Sequence, residues 1–325
     1  MKSIKIIFFL STILLFSVCK NQDLKKDFTL KGFVFGTTYK ITYLNSDKNY
    51  QKSLDSLFNE INNSLSTYIP DSDISKINNG NESVLIDDYF KEVFTKSKKI
   101  FNETDGFFDP TVGNLVNAYG FGPNSEIKNL SDEDIKELMR YVGFNKVKLI
   151  ENRVVKEYPE IYLDFNSIAK GYGIDIVARF FNEKGIKNYL IEIGGEIRAK
   201  GVKHDNKPWL IQIIDPLNID NGFKTINLTN KSMATSGNYI KFRVDSLGNK
   251  YVHTINPKTG YAKESNLLSA SVIAEADCAD VDAYATAFMA MGLEKTLAFL
   301  EAKKELKVIL IYHNKKGDLS EYTNL

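Results

Sequence analysis

Residues 279–292 read ADVDAYATAFMAMG, and no other stretch constrains the fold as strongly. Val281, Ala283, Ala285, Ala287, Phe288 and Met289 make a strong helix former whose surface belongs in an interior. Asp282 and Thr286 lie four residues apart, so a helix puts both on one face. An acid rarely enters an apolar helix unless it is paired, hydrogen-bonded or bound to a metal. A carboxylate beside a hydroxyl offers two hard oxygen donors, which suit Mg²⁺ or Ca²⁺ and not zinc. A plainer use of the same residues stands beside this one. Asp277 or Asp280 can cap the helix, and Thr286 can bond back to the carbonyl of Asp282.

The chain has 325 residues, enough for one large domain or two ordinary ones. Its 42 Lys+Arg balance 41 Asp+Glu, and a formal charge of +1 argues against nucleic-acid binding through a general basic field. Apolar residues make up 43% and aromatic residues 12%, which supports a sizeable core.

At the N-terminus, Lys2 and Lys5 precede an apolar run from Ile6 to Val18. The run is too short to span a bilayer and has the length of a signal-peptide core. It ends at Cys19 and the polar stretch KNQDLKKD, which looks like a bacterial lipoprotein processing site. Phe16 and Val18 depart from the Leu and small residue usual there. The expectation is a signal peptide over 1–18, a lipid anchor on Cys19, a polar tether over 19–30 and one domain over 31–325. A cleaved soluble protein and an uncleaved anchor are the alternatives. With Cys19 lipidated, Cys278 has no disulfide partner and reads as a small buried residue.

Along the chain, GFVFGTTYKITYL suggests a strand broken at Gly36. Leu54, Leu57, Phe58, Ile61 and Leu65 follow helical spacing, and 87–103 is helical again. Residues 105–123 are rich in Gly, Pro and aromatics yet nearly uncharged, so this loop lines something. Ser131 opens a short helix with acids in its first turn. Short strands are expected near 146–150, 153–157 and 160–164, a helix from Ser167 to about Lys184, and a strand entering the Gly194-Gly195 turn. Strands and turns alternate from 209 to 273, and a final strand, KVILIYH, precedes a polar tail. Strands and helices mix without regular βαβ alternation, which favours an α+β domain over a doubly wound sheet.

Four further segments set small or charged residues among apolar ones. In YLDFNSIAKGYG a strand ends at Asp164 and a helix begins near Ser167, a corner whose free amides suit an anion. Lys170, one turn in, can reach a phosphate or pair with Asp164. In GGEIR, Glu196 and Arg198 alternate on a strand, a pattern that a simple surface pair also gives, and the Gly-Gly lacks dinucleotide-fingerprint spacing. MATSGNY offers several hydrogen-bond donors or an ordinary turn, and HTINPKTG places His253 before a clear turn. His253, one of three histidines, suits a general base near neutral pH or a structural role.

Together these segments resemble the ApbE family, the FAD:protein FMN transferases. The carrying motifs are GTTYKI (36–41), LSTYIPDSDISKIN (65–78), TDGFFDPTVG (104–113), LDFNSIAKGYGID (163–175), IGGEIRAKG (193–201), MATSGNY (233–239), HTINPKTG (253–260) and ADVDAYATAFMAMG (279–292). Their order from about 32 to 312 is the family's. The resemblance implies Mg²⁺-dependent transfer of FMN from FAD to a Thr or Ser hydroxyl of an acceptor protein, through a phosphodiester, with AMP released. It implies an inner-membrane lipoprotein of the bacterial cell envelope facing the periplasm, with an acceptor among subunits of membrane electron-transfer complexes.

Residue by residue, the resemblance assigns the metal to the side chains of Asp282 and Thr286 and the main-chain oxygen of Ser167. It assigns flavin contacts to Phe35, Tyr68, Phe107, Phe108, Asp109, Asp164, Lys170 and Ile255, with Tyr68 on the isoalloxazine ring and Phe107–Asp109 at its edge. His253 matches the residue that would deprotonate the acceptor hydroxyl, with Asp282 as the catalytic metal ligand. Two departures stand out: Asn256-Pro257 replaces the usual Asp-Pro, and Phe165-Asn166 replaces the usual Leu-Gly after Asp164. The alternatives are a Mg²⁺-dependent FAD pyrophosphatase and a flavin-binding lipoprotein without turnover.

Overall fold

The computed structural model describes residues 25–123, 129–238, 242–244, 248, 250–262 and 265–325. The expected signal segment, Cys19 and Tyr239 lie outside the described residues.

Lys26–Val34 (β1) and Thr37–Ser46 (β2) form an antiparallel hairpin closed by Phe35 and Gly36. Both turn residues have positive φ, 50° and 72°, as a tight two-residue hairpin of this hand requires. Gly36 thus turns the chain where a broken strand was expected. The hairpin also begins earlier than expected: residues 26–30, read as tether, are strand, because Leu30 turns into the core opposite Ile41.

Helices follow at Gln51–Leu65 (α1), Asp73–Asn78 (α2), Asp88–Glu103 (α3), Gly113–Ala118 (α4) and Asp132–Met139 (α5). The last carries a reciprocal capping box between Ser131 and Asp134. A small ribbon, Val147–Ile150 (β3) with Arg153–Lys156 (β4), leads towards the long helix Ala169–Glu183 (α6). The strand expected at 160–164 does not form. Its backbone is taken by other partners: the Asn78 side chain bonds both the amide and the carbonyl of Leu163 at 2.8 Å, and the Asp164 amide donates to Pro110 O at 2.8 Å. Only an isolated bridge, Tyr162 to Val112, remains.

The second half supplies Tyr189–Ile193 (β5), Glu196–Lys200 (β6), Trp209–Asp215 (β7), Asn218–Leu228 (β8), Lys231–Gly237 (β9), Phe242–Val244 (β10), Lys250–Val252 (β11) and Leu267–Ala274 (β12). Cys278–Met291 (α7), Leu293–Ala302 (α8), Lys307–His313 (β13) and Leu319–Thr323 (β14) complete the chain. The expected polar tail therefore carries a strand, and its partly exposed residues suit the sheet edge that it occupies.

Eight strands make one sheet in the order β1-β2-β5-β6-β9-β12-β13-β14, with antiparallel pairing at every step. Period-2 alternation divides its side chains between two cores. On β13, Val308 and Leu310 join the larger core with the helices, while Ile309 and Ile311 face the opposite side. There the β7–β8 ribbon covers them with Trp209, Ile211, Ile213 and Leu228. A third cluster joins Leu115, Tyr119, Ile135, Val142, Ile255 and Ala262. The apolar helix α7 lies in the larger core with Val281, Ala283, Ala285, Ala287 and Phe288 fully buried, as its composition demands. Among the described residues, no helix is long and apolar enough to cross a membrane.

Candidate active site

The openings of α6 and α7 cross at a glycine. A Cβ on Gly171 would lie 2.5 Å from the backbone oxygen of Cys278, so no other residue fits without moving a helix. That contact lets the Gly171 amide reach across and donate to Asp282 Oδ2 at 3.1 Å. Gly171 is four residues beyond Ser167, and its amide would ordinarily close on the Ser167 carbonyl. No amide among the described residues donates to that carbonyl. A main-chain oxygen and a carboxylate are thus left at one corner, where a late helix meets an earlier turn.

Asp282 is 2% exposed. Burial pushes its carboxyl up to about 7, against the pull of the neighbouring Lys170 ammonium. Thr286, one turn along, has its hydroxyl 3.3 Å from Ser236 Oγ at the end of β9, so MATSGNY reaches the same helix face.

Lys170 does not pair with Asp164. Its ammonium lies 2.7 Å from Glu196 Oε1. Desolvation pulls Lys170 down, but the carboxylates of Asp282 and Glu196 outweigh it and hold the group above its usual range. Nor are Glu196 and Arg198 a surface pair. Glu196 is 2% exposed, and Arg198 bonds Asp175 and Asp277 on the far side of the helix crossing. The caps expected from Asp277 and Asp280 are absent as well. Asp277 makes no side-chain cap and instead meets Lys96 at 2.8 Å, while Asp280 meets Lys96 and Lys99 at 3.0 and 3.3 Å. The cap comes from α6: Asp175 accepts the Cys278 and Ala279 amides at 2.8 and 2.9 Å.

The donor set fits a hard divalent ion. It holds one buried carboxylate, one hydroxyl and one carbonyl that no amide occupies, all oxygen. Among the described residues four buried side-chain oxygens have no hydrogen-bond partner: Ser97 Oγ, Asn117 Oδ1, Glu196 Oε2 and Asn238 Oδ1. The last two belong to segments that reach this corner. Among the described residues there is no group of three or more His, Cys, Asp and Glu of the kind that holds a transition metal.

A second group of residues forms a rim. The hydroxyl of Tyr68 donates to the Phe121 carbonyl at 3.1 Å, and its ring is 56% exposed. The Phe121 ring stands edge-on to His253, 6.4 Å between centroids, and has Arg243 at 6.0 Å over its face. Burial raises the Tyr68 hydroxyl, and the nearby Asp164 carboxylate adds to the rise. Burial likewise carries Asp164 up to about 6, although its carboxylate accepts the Asn166 amide at 2.7 Å. Asn166 in turn reaches Thr67 Oγ1 at 3.5 Å, so Phe165-Asn166 ties the corner to the Tyr68 loop. Residues 164–171 therefore connect the rim to the corner where α6 and α7 cross.

The other expected flavin contacts are distributed differently. Phe35, half-buried, stands edge-on to Phe58 at 5.7 Å and against Gly173 of α6. Phe107 carries Lys295 at 4.6 Å and Lys258 at 5.6 Å over its ring. Phe108 is 1% exposed and belongs to the core. Asp109 is spent on the Thr111 amide and hydroxyl and the Phe144 amide, which shape the 105–123 loop. Ile255 packs in the third cluster. The side chains of Phe108, Asp109 and Ile255 are thus engaged within the fold. Asn256 explains its own departure: Oδ1 accepts the Lys258 amide at 2.9 Å, and Nδ2 donates to Ala290 O on α7 at 3.3 Å, which a carboxylate cannot do.

Sequence reasoning missed Phe121 and Arg243 at the rim, and Glu196 and Asp175 at the helix crossing. The signal for Asp175 was the acid set inside an apolar run, the same signal that found Asp282.

The sequence profile of the ApbE family matches residues 35–310. The FAD:protein FMN transferase of Vibrio cholerae is 33% identical over 97% of this chain and 95% of its own length. That of Haemophilus influenzae is 34% identical over 93% and 91%. Among solved structures, the flavin transferase ApbE from Vibrio cholerae superposes with a TM-score of 0.82 at 33% identity, covering 92% of this chain and 97% of that one. The apo flavinyl transferase ApbE of Pseudomonas stutzeri gives 0.82 at 29% identity, over 93% and 95%.

Proposed function

We infer from its membership of the ApbE family, to which this chain belongs, that the protein transfers FMN from FAD to an acceptor protein. The observation that carries the local reading is the 3.1 Å bond from the Gly171 amide to Asp282, which brings the 163–175 and 279–292 motifs to one corner. On that reading the Asp282 carboxylate, the Thr286 hydroxyl and the Ser167 carbonyl hold Mg²⁺. The ion supplies charge neutralisation at the pyrophosphate. Tyr68 packs on the flavin at the rim.

The transfer balances as follows. The acceptor Thr or Ser oxygen attacks the phosphorus of the FMN half, and its proton passes to the His253 imidazole. A new P–O bond forms to the acceptor, and the P–O bond to the AMP half breaks. AMP leaves with that electron pair on its phosphate oxygen. His253 sits beside Phe121, whose carbonyl orients Tyr68, so base and flavin platform share one support. The proposed anchor on Cys19 sets the domain at the periplasmic face of a membrane, near an acceptor subunit of an electron-transfer complex. A single lipid chain gives marginal binding, and a diacylated cysteine gives a stable tether.

The experiment is incubation of the mature domain with FAD, Mg²⁺ and candidate membrane-complex subunits. Flavin fluorescence that stays with the acceptor after denaturing electrophoresis, with AMP in equal amount, supports the reading. FMN and AMP released free, with no labelled acceptor, turns it into a pyrophosphatase. FAD bound intact in the presence of Mg²⁺ makes it a flavin carrier.

A further inference from the structure

Glu196 is the least satisfied charged group in the described structure. It is the first residue of β6, set behind two glycines of positive φ (62° and 99°), and its side chain is 3% exposed. One oxygen meets Lys170 at 2.7 Å, and the other has no partner. A buried carboxylate oxygen without a donor costs on the order of 1–3 kcal/mol. Such a group persists where a ligand brings the missing donor.

Its surroundings say what kind of donor. Lys170 touches Glu196 and interacts electrostatically with Asp282, so the three groups form one cluster. With Asp282 ionised, the cluster sets two carboxylates against one ammonium, a net negative charge in a buried place. That imbalance favours a cation. With Lys170 on one of its oxygens, Glu196 has a single oxygen left to offer, and that oxygen can accept from a water that an ion carries. Mg²⁺ keeps several of its waters in protein sites, and carboxylates beyond the ligands orient them.

We propose that Glu196 is a positioning residue for the divalent ion, its free oxygen accepting a hydrogen bond from a water held by an ion at Asp282 and its other oxygen holding Lys170 in place. This rests on the reading of Asp282 as an ion ligand. The donor is an O–H group, and the alternative source is a hydroxyl of the bound dinucleotide.

The test uses Mn²⁺ as a probe without any flavin, followed by electron paramagnetic resonance and water-proton relaxation on the mature domain. The wild type binds Mn²⁺ and E196Q binds it 10–100-fold more weakly, with altered water relaxation and an unchanged circular dichroism spectrum. Equal Mn²⁺ affinity in the wild type and E196Q overturns the proposal. So does weaker FAD binding by E196Q in chelator with Mn²⁺ binding intact, which identifies the dinucleotide hydroxyl as the donor. D282A separates the two readings. If D282A binds Mn²⁺ as the wild type does, the ion site itself is wrong. If D282A loses Mn²⁺ and E196Q does not, only the role of Glu196 fails. Should E196Q not fold, E196D keeps the charge, withdraws it by one methylene and carries the same readout.

Discussion

Asp175 and Cys278 are joined across the α6–α7 crossing, with the Cys278 amide donating to the Asp175 carboxylate at 2.8 Å. The second oxygen takes the Ala279 amide at 2.9 Å, and Arg198 closes the group. The N-terminus of the site helix is thus capped by the helix that it crosses. D175N keeps one acceptor oxygen but loses the ion pair, and a buried cap of this kind is worth roughly 2–3 kcal/mol. The melting temperature of D175N falls by roughly 4–12 °C, at about 2–4 °C per kcal/mol.

Gly171 is the second hold on that crossing. G171A places a methyl 2.5 Å from the Cys278 carbonyl and forces the helices apart. Overpacking of this sort costs roughly 1–3 kcal/mol. Because the Gly171 amide also supports Asp282, G171A loses Mn²⁺ affinity together with stability. A variant that melts lower but binds Mn²⁺ as tightly as the wild type would separate the two.

D282A is expected to stay folded and to lose FMN transfer at saturating Mg²⁺. Its circular dichroism matches the wild type, since the buried carboxylate it removes is itself costly. Full transfer by D282A would refute the ion assignment.

H253A slows transfer by roughly 10²–10⁴ while FAD affinity changes little, the pattern for a base that acts on the acceptor and not on the dinucleotide. Fluorescence titration of FAD and a single-turnover gel assay give the two numbers. Equal losses in both would make His253 a structural partner of Phe121.

Acid stability reports on Asp277. Burial alone would raise its carboxyl, but Lys96 and Arg198 outweigh burial and hold it down to about 2, against an ordinary 3.8. A depressed acid contributes stability above the unfolded value and loses it as pH falls through the folded one. The contribution is therefore full above about pH 4 and gone near pH 2. After discount for its partial exposure it amounts to about 1–2 kcal/mol. D277N is less stable than the wild type at pH 7, and the two converge in denaturant melts taken from pH 4 towards pH 2.

Periodicity and composition made much of this legible. The burial of α7 follows from an apolar surface on all sides, and the α6 corner from a strand-like run ending at Asp164 before a helical pattern. The motifs placed Asp282 and Ser167 in one site because the resemblance linked segments that lie 115 positions apart in the chain. Local reading failed where a side chain took a backbone partner. Asn78 occupies Leu163, so a β-like run became a connecting segment. Glu196, on a strand, alternates like a surface residue, yet it is buried and paired with Lys170 of α6. The cap of α7 was invisible too, since the carboxylate that accepts its first amides sits on α6 and no nearby residue announces it.

The helix crossing and the rim differ in how they are built. Asp282 and Thr286 ride on a helix locked to its neighbour by a glycine contact and a borrowed cap, whereas Phe121, Arg243 and His253 come from a loop and the short β10–β11 ribbon with its flank. A substitution in the short ribbon therefore disturbs the rim first and leaves the locked crossing in place.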